Sequence, residues 1–192
     1  MSEEKPKLLL HVCCAPDATV AVERLAPDYT ITIFFYNPNV HPEKEYDLRL
    51  NEMERLAKQL NVPLLPAPYN SDDWFKAVKG MEDVPEGGAR CEVCFRMRLE
   101  LAAQMAVEHQ FDIFATVLTV SPHKNAKLIN QIGIEYSAKY SVDFMEANFK
   151  KKDGFKRSIE LSRQYNLYRQ DYCGCIFSQI EREKMKQEKA QT

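Results

Sequence analysis

The residues of this chain best suited to chemistry are its six cysteines, which fall in three close pairs. The pairs are Cys13 with Cys14, Cys91 with Cys94, and Cys173 with Cys175. Such grouping is typical of thiols that share a metal or redox site. In a secreted chain the same count would favour disulfides, but we expect none of the secretory signals that would place this chain outside the cell.

Cys91 and Cys94 form a CxxC motif in the stretch "PEGGARCEVCFRMRLELAAQMAVEHQ", which passes from a glycine-rich loop into a predicted long helix. Residues three apart share one face of a helix, and the helix N-terminus favours thiolate over thiol. The motif suits metal binding. It also suits a thioredoxin-like dithiol, although that motif normally follows a strand.

Cys13 and Cys14 stand at the end of a predicted buried strand, where neighbouring side chains point to opposite faces. Both can serve one site only if the chain turns there, and "CCAPD" offers such a turn, with Pro16 at the first helical position and Asp17 in the first turn. Asp17 is therefore either an ordinary helix-start carboxylate or a hard metal ligand beside soft thiolates.

The third pair, Cys173-Gly174-Cys175, is very tight. Its two sulfurs could close a small, labile disulfide ring or share one metal. Four thiolates can complete a structural zinc site or an iron-sulfur cluster. Zinc knuckles usually lie close together in domains that lack a core. Since this chain has a core and gathers its cysteines from three distant regions, we favour a redox metal.

The elements that must position these thiols alternate between strand and helix. Short apolar runs such as "LLLHV", "TITIFFY", "VPLLPAPY", "FDIFATVLTV" and "VDFMEANF" predict strands, and the stretches between them have helical spacing of apolar residues. This alternation predicts a parallel sheet covered on both faces, in one domain spanning residues 1–192. Ligands of such sheets bind at the carboxyl ends of the strands, where Cys13 and Cys14 fall.

Composition limits the functions available. The chain has 192 residues, is 45% hydrophobic and carries a net charge of -2, so it can bury one core but has no overall basic field for nucleic acid. No apolar run approaches the roughly 20 residues of a membrane span. Because "MSEEKPKLLLHVCC" is too short and too acidic for a signal peptide, we expect a cytoplasmic protein with no membrane partner.

Polar residues follow two of the predicted strands. His41 in "FYNPNVHP" is either a ligand or acid, or an ordinary turn residue. In "TVSPHKN", Ser121 is predicted to begin a helix, and with His123 and Lys124 it resembles an anion site. An ordinary helix cap followed by a solvated turn explains the same pattern.

A basic and aromatic segment precedes the last cysteine pair. Between residues 150 and 169, seven basic residues, beginning with Lys150, Lys151 and Lys152, stand against two acidic ones. Phenylalanines and tyrosines interleave with these charges, and such mixtures bind unstacked RNA bases and phosphates. A charge run is often only a solvated helix face. This one leads directly into the CGC, so RNA at a redox site is our hypothesis.

Taken together, six stretches of the chain resemble the QueH-type epoxyqueuosine reductases. They are "HVCCAPD", "FYNPNVHPEKEYDLR", "GARCEVCFRMRLE", "TVLTVSPHKN", "FKKKDGF" and "YRQDYCGC", and the resemblance runs from about residue 8 to residue 178. It implies an α/β fold of the HUP-like (adenine nucleotide alpha-hydrolase-like) kind, with three layers and additional C-terminal helices. In that superfamily a phosphate loop occupies the position of "HVCCAPD", which has no glycine to cradle a phosphate, so we do not expect ATP use.

The resemblance also implies an activity and a set of site residues. The activity is the last step of queuosine synthesis, the two-electron reduction of epoxyqueuosine at the wobble position of tRNA, with a 4Fe-4S cluster and an additional mononuclear iron. Cys13, Cys14, Cys91 and Cys94 would hold the iron-sulfur cofactor, Asp17 the additional iron, and Cys173 with Cys175 would form a redox-active pair or supply an iron ligand.

The implied partners are tRNA carrying epoxyqueuosine and an electron donor that the sequence does not identify. Ser121, His123 and Lys124, with Lys150, Lys151 and Lys152, are the expected tRNA-binding residues. His41, His123 and Tyr172 are candidates for the acid that protonates the opened epoxide. Two alternatives stay open: a zinc-stabilised RNA-binding module without catalysis, and an ATP-dependent tRNA-thiolating enzyme of the same superfamily.

Overall fold

The computed structural model describes residues 4–190, and all structural statements concern that part of the chain. It contains five strands and seven α-helices. The strands are β1 (Lys7–Val12), β2 (Thr30–Phe35), β3 (Leu64–Pro66), β4 (Ile113–Thr116) and β5 (Asp143–Phe144). The helices are α1 (Ala15–Leu25), α2 (Glu43–Leu60), α3 (Ser71–Ala77), α4 (Ala89–Glu108), α5 (Ala126–Tyr140), α6 (Gly154–Gln164) and α7 (Ile176–Ala190).

The strands form one parallel sheet in the order β3-β2-β1-β4-β5. The chain moves outward from β1 to β3 on one side, then returns to the far side of β1 to add β4 and β5. The reversal leaves a crevice at the carboxyl ends of β1 and β4, which is the usual ligand position in open α/β sheets. The predicted parallel sheet is confirmed.

The sheet is the centre of the core because β1 is buried almost throughout: residues 8 to 12 are inaccessible to solvent, and only Lys7 at its start is exposed. A strand covered on both faces is apolar at consecutive positions, which explains "LLLHV". Its one buried polar side chain, His11, hydrogen-bonds through Nδ1 to Thr116 Oγ1 at 2.9 Å. α1 packs against α2 and α6, and α4 packs against α5.

One helix start differs from the sequence-based expectation. The helix expected to begin at Ser121 begins at Ala126, because the side chain of Asn125 accepts hydrogen bonds from the amides of Lys127 and Leu128. Residues 117–120 form a single 3-10 turn before it. α3 is capped in the same way by Asn70, whose side chain accepts a hydrogen bond from the amide of Asp72. No helix within residues 4–190 is both long and apolar enough to cross a bilayer.

Candidate metal and active site

The end of β1 brings Cys13, Cys14 and Asp17 together. Cys14 is the extended residue that precedes α1, and Pro16 lies in the first turn of that helix, so the chain turns sharply between the two cysteines. Cys13 Sγ lies 3.8 Å from Cys14 Sγ and 3.8 Å from Asp17 Oδ2. One donor atom from each of the three residues falls within 4.8 Å of the others. Two soft thiols and one hard carboxylate can therefore bind a single ion between them.

Burial controls the ionisation of these three groups. Removal from water, reinforced by the negative charge of Cys13, raises the pKa of Asp17 to about 7. The contact between the two thiols lowers the pKa of Cys13 and raises that of Cys14, because only one of them can ionise easily. A bound cation would relieve the burial penalty of all three groups at once.

The CxxC lies at the start of α4, as predicted. Gly88 precedes the helix, and the amide of Gly87 donates a 3.2 Å hydrogen bond to Cys91 Sγ. The expected preference for thiolate is not found here: burial raises the pKa of Cys91 and raises that of Cys94 to about 12. Burial outweighs the helix N-terminus because Cys94 lies against Trp74 in an apolar cluster.

The CGC turn lies between α6 and α7 and meets the CxxC. Cys175 belongs to the same apolar cluster as Cys94, and its Sγ accepts a 3.3 Å hydrogen bond from the amide of Ser178 at the start of α7. Gly174 has φ +136, a conformation that side chains rarely adopt. All six cysteines of the chain are free thiols.

The four thiols of α4 and the CGC turn form one electrostatic group, since negative charge on Cys173 and Cys175 raises the pKa of both Cys91 and Cys94. Within the described residues, only the Cys13, Cys14 and Asp17 group brings three ligand atoms within 4.8 Å of one another. The other four thiols form no such group, although Cys94 and Cys175 belong to one apolar cluster. A 4Fe-4S cluster binds each thiolate through a different iron atom, so its ligand sulfurs need not converge on one point. The residues present thus fit a single ion beside a cluster.

Two buried arginines border the thiols, and the sequence analysis missed both. Arg49 of α2 is 1% exposed; it pairs with Glu45 at 2.8 Å and donates to the carbonyl of Cys173 at 3.0 Å. Arg98 of α4 is equally buried, and the charges of Cys94, Cys13 and Cys173 favour its cationic form. Both arginines occupy positions of their helices that face the core, a signal that could have identified them.

A cavity of about 650 Å³ opens onto this site. Its wall includes Asp17, Lys124 and Cys173. The cavity therefore reaches both the CGC turn and the group formed by Cys13, Cys14 and Asp17, which we call the triad. The remaining wall comprises Pro85, Glu86, Ser121, Pro122, His123, Phe155, Arg169, Gln170, Asp171, Tyr172, Ser178, Glu181, Arg182 and Met185. The predicted anion-site residues Ser121, His123 and Lys124 therefore line one pocket together with Cys173 and Asp17. Its volume is that of an ordinary small-molecule site.

Of the three candidate acids, His123 and Tyr172 line the cavity and His41 does not. The His41 ring packs between Trp74 and Phe75, with ring centroids 5.0 and 4.6 Å away, and burial lowers its pKa to about 4. Tyr172 donates its hydroxyl proton to the carbonyl of His41 at 2.6 Å, and burial raises its pKa to about 12.

The three consecutive lysines have different environments. Lys150 Nζ donates to the carbonyl of Lys124 at 2.7 Å and so ties this turn to the cavity wall. Lys151 and Lys152 are exposed. Arg24 of α1 stabilises this turn, because its guanidinium donates a 2.9 Å hydrogen bond to the carbonyl of Lys152. Two of the three predicted tRNA-binding lysines are thus free to contact a polyanion.

Solved structures similar to this one confirm the fold. The U34-tRNA thiolase NcsA from Methanococcus maripaludis, solved with its 4Fe-4S cluster, superposes with a TM-score of 0.58 at 14% identity, over 95% of this chain and 66% of that chain. A protein described as a predicted subunit of tRNA methyltransferase from Methanocaldococcus jannaschii gives a TM-score of 0.56 at 15% identity, over 82% of this chain and 74% of that chain. At this identity the likeness concerns the HUP-like fold alone.

Sequence comparison is more specific. The family model described as "Epoxyqueuosine reductase QueH" matches residues 8–181. The relative of that name from Streptococcus pyogenes serotype M1 is 42% identical over 91% of this chain and 71% of its own length. The relative from Thermotoga maritima is 37% identical over 91% of both chains. The chain therefore belongs to the epoxyqueuosine reductase QueH family.

Proposed function

We propose that this chain is an oxidoreductase that reduces epoxyqueuosine to queuosine in tRNA, acting as a single catalytic unit. The observation that carries the proposal is the position of the Cys13, Cys14 and Asp17 group: it lies at the sheet crevice, and Asp17 shares a cavity wall with Cys173 and Lys124. Membership of the family supplies the substrate class.

We assign the single iron to Cys13, Cys14 and Asp17. This revises the expectation that both cysteines bind the cluster, and the short distances within the triad support the revision. We assign the iron-sulfur cluster to Cys91 and Cys94 together with the cysteines of the CGC turn. Packing of Cys175 against Cys94 favours ligation by the turn over a free redox-active disulfide.

The reaction removes the epoxide oxygen as water, which consumes two electrons and two protons and leaves a carbon-carbon double bond. A bound cluster and iron would supply the electrons and a Lewis acid for the oxygen. The residues of the chain then bind and orient the substrate. The cavity is large enough for one nucleotide turned out of an anticodon loop, where no duplex has to be melted.

The ammonium of Lys124 contributes positive charge where negative charge develops on the departing oxygen. Asp17, Cys13 and Cys173 hold this side chain in its cationic form, because their negative charges raise its pKa. His123 lies on the same wall, two residues after Ser121, whose hydroxyl accepts a 3.3 Å hydrogen bond from the His123 amide. Both side chains can therefore reach a ligand in the cavity. The exposed Lys151 and Lys152 would contact phosphates of the anticodon arm.

Anaerobic reconstitution with iron and sulfide, followed by an assay on tRNA that contains epoxyqueuosine and a chemical reductant, tests the proposal. We expect a brown protein that converts the modified nucleoside, and no conversion by the Cys91→Ala variant. A colourless protein that binds stoichiometric zinc and tRNA but converts nothing would establish the RNA-binding module instead. Sulfur insertion dependent on ATP would identify a thiolase.

A further inference from the structure

We infer that Arg98 is a built-in counter-charge for the metal centre, a cation that the fold buries among the thiols and that tunes the reduction potential of the cluster. The inference deepens the proposed function and rests on it.

The guanidinium of Arg98 is almost completely removed from water, since its residue is only 1% exposed. Its hydrogen bonds join Nε to the carbonyl of Cys94 at 3.2 Å and Nη1 to Asn37 Oδ1 at 3.4 Å. Both acceptors are neutral and both distances are long. Nη2 is buried and has no hydrogen-bond partner at all.

Arg98 also lacks a carboxylate partner within the described residues, whereas the other two fully buried arginines each have one. Arg49 pairs with Glu45 at 2.8 Å, and Arg90 pairs with Glu181 at 3.3 Å. A buried charge without an opposite charge is strongly destabilising. The cost is difficult to explain as a contribution to stability, and it points to negative charge that the carboxylates of the described residues do not provide.

The groups around Arg98 identify that negative charge. The side chain interacts electrostatically with Cys94, Cys13, Cys173 and Cys91, which come from all three cysteine pairs. Metal binding requires deprotonation of these thiols and so creates several negative charges beside the guanidinium.

A fixed cation next to an iron-sulfur cluster favours the reduced state, because reduction adds an electron to an already anionic centre. Net charge and hydrogen bonds to the sulfurs are among the factors that set cluster potentials. Arg98 supplies the charge, and the unpaired Nη2 supplies a donor. Arg98 acts on the potential from inside the fold, since it is buried and does not line the cavity.

The test compares Arg98→Met, which removes the charge at similar volume, with Arg98→Lys, which keeps it. Arg96→Met is the matched control on the same helix, because Arg96 is partly exposed and paired with Glu92 and Glu135 at 2.9 and 2.6 Å. Each protein is melted in its reduced, metal-free form. It is then reconstituted anaerobically, and the midpoint potential of the cluster is titrated by visible absorbance and electron paramagnetic resonance.

We expect the metal-free Arg98→Met protein to melt at or above the wild-type temperature, because it no longer buries a guanidinium that has no carboxylate partner. Its reconstituted cluster should titrate at a more negative potential, or assemble with lower occupancy. Arg98→Lys should resemble the wild type in potential and occupancy, and Arg96→Met should leave the potential unchanged.

Three results would overturn the inference: an unchanged potential at full occupancy in Arg98→Met, a lower melting temperature of that metal-free variant, or loss of the cluster in Arg98→Lys as well. A wild-type protein that assembles no cluster would refute the proposed function instead. Melting of the metal-free variants would still decide whether the charge of Arg98 is uncompensated.

Discussion

Arg49 Nη1 donates a 3.0 Å hydrogen bond to the carbonyl oxygen of Cys173, and this contact joins α2 to the CGC turn across 124 positions of the sequence. The same guanidinium lies 5.4 Å from the centroid of the Tyr172 ring. The amide of His41 adds a 2.8 Å hydrogen bond to the carbonyl of Gly174. The stretch "FYNPNVHPEKEYDLR" therefore positions a pair of thiols that it does not contain.

Substitution of Arg49 tests this positioning role. Arg49 also donates from Nη2 to the carbonyl of Tyr172 at 3.4 Å. Arg49→Lys keeps the charge but lacks the planar guanidinium that bonds both carbonyls, so we expect reduced cluster occupancy and faster alkylation of Cys173 and Cys175 by iodoacetamide in the metal-free protein. Mass spectrometry of the labelled peptides measures the rates. Arg55→Lys is the control, since Arg55 lies on the same helix and bonds the carbonyls of Tyr165 and Asn166. Unchanged labelling of the CGC in Arg49→Lys would refute the role.

Gly174→Ala should disturb the same turn. An added Cβ would lie 3.0 Å from both Arg49 Nη1 and Val40 Cγ2, at a backbone φ of +136. We expect a loss of about 1–3 kcal/mol in the free energy of unfolding, measured by urea denaturation of the metal-free protein. Gly80→Ala is the control that separates backbone strain from steric crowding. Its φ is +82, but no atom lies within 4 Å of the added Cβ. An equal loss in both variants would argue against close packing at Gly174.

Asp17→Asn tests the division of the metals. Replacing the carboxylate by an amide removes the only hard anionic ligand of the triad, so we expect the variant to lose one iron per chain and its activity while it retains the visible absorbance of the cluster. Colorimetric analysis measures the iron content per chain, and the visible absorbance spectrum measures the cluster. Asp28→Asn, on the exposed turn before β2, should lose neither. Bleaching of the cluster in Asp17→Asn would place this carboxylate at the cluster.

Much of this arrangement could be predicted from the sequence. Consecutive apolar residues in "LLLHV" define a central parallel strand, and the turn at Pro16 brings Cys13 and Cys14 to one side. The position of Cys13 and Cys14 at the crevice followed from the rule that ligands bind at the carboxyl ends of parallel strands. These predictions succeeded because each depends on local pattern and on one topological rule.

Other features depend on contacts between distant segments and could not be predicted. Nothing near Arg98 in sequence shows that its guanidinium has no carboxylate partner. The start of α5 was misplaced because Ser121 and Asn125 are both good helix caps, and only the 3-10 turn before them decides between the two. Lys150 was grouped with its neighbours, although its ammonium bonds the carbonyl of Lys124.

His41 should make the metal-free protein sensitive to acid. Burial lowers its pKa in the folded state from 6.5 to about 4, so the unfolded state binds the proton more tightly. Its contribution to stability is complete above pH 6.5 and is lost as the pH falls towards 4. We expect the free energy of unfolding of His41→Phe, which keeps an aromatic ring beside Trp74, to fall less over that range. His109→Gln, at an exposed site, should follow the wild type. A parallel decline in His41→Phe would show that the proton is taken up elsewhere.

The exposed lysines are the last test, because they separate substrate binding from chemistry. We expect the double variant Lys151→Gln/Lys152→Gln to bind tRNA more weakly, with a shallower dependence of affinity on salt, by about one unit of slope for each lost phosphate contact. Single-turnover reduction at saturating tRNA should stay close to wild type, since neither residue lines the cavity. Filter binding at several salt concentrations measures the slope. Lys58→Gln is the control, on the last turn of α2 before β3 and therefore near the opposite edge of the sheet. If the double variant kept the wild-type slope, tRNA would have to approach the cavity from another side, and the cavity-lining Arg182 would be the next cation to test.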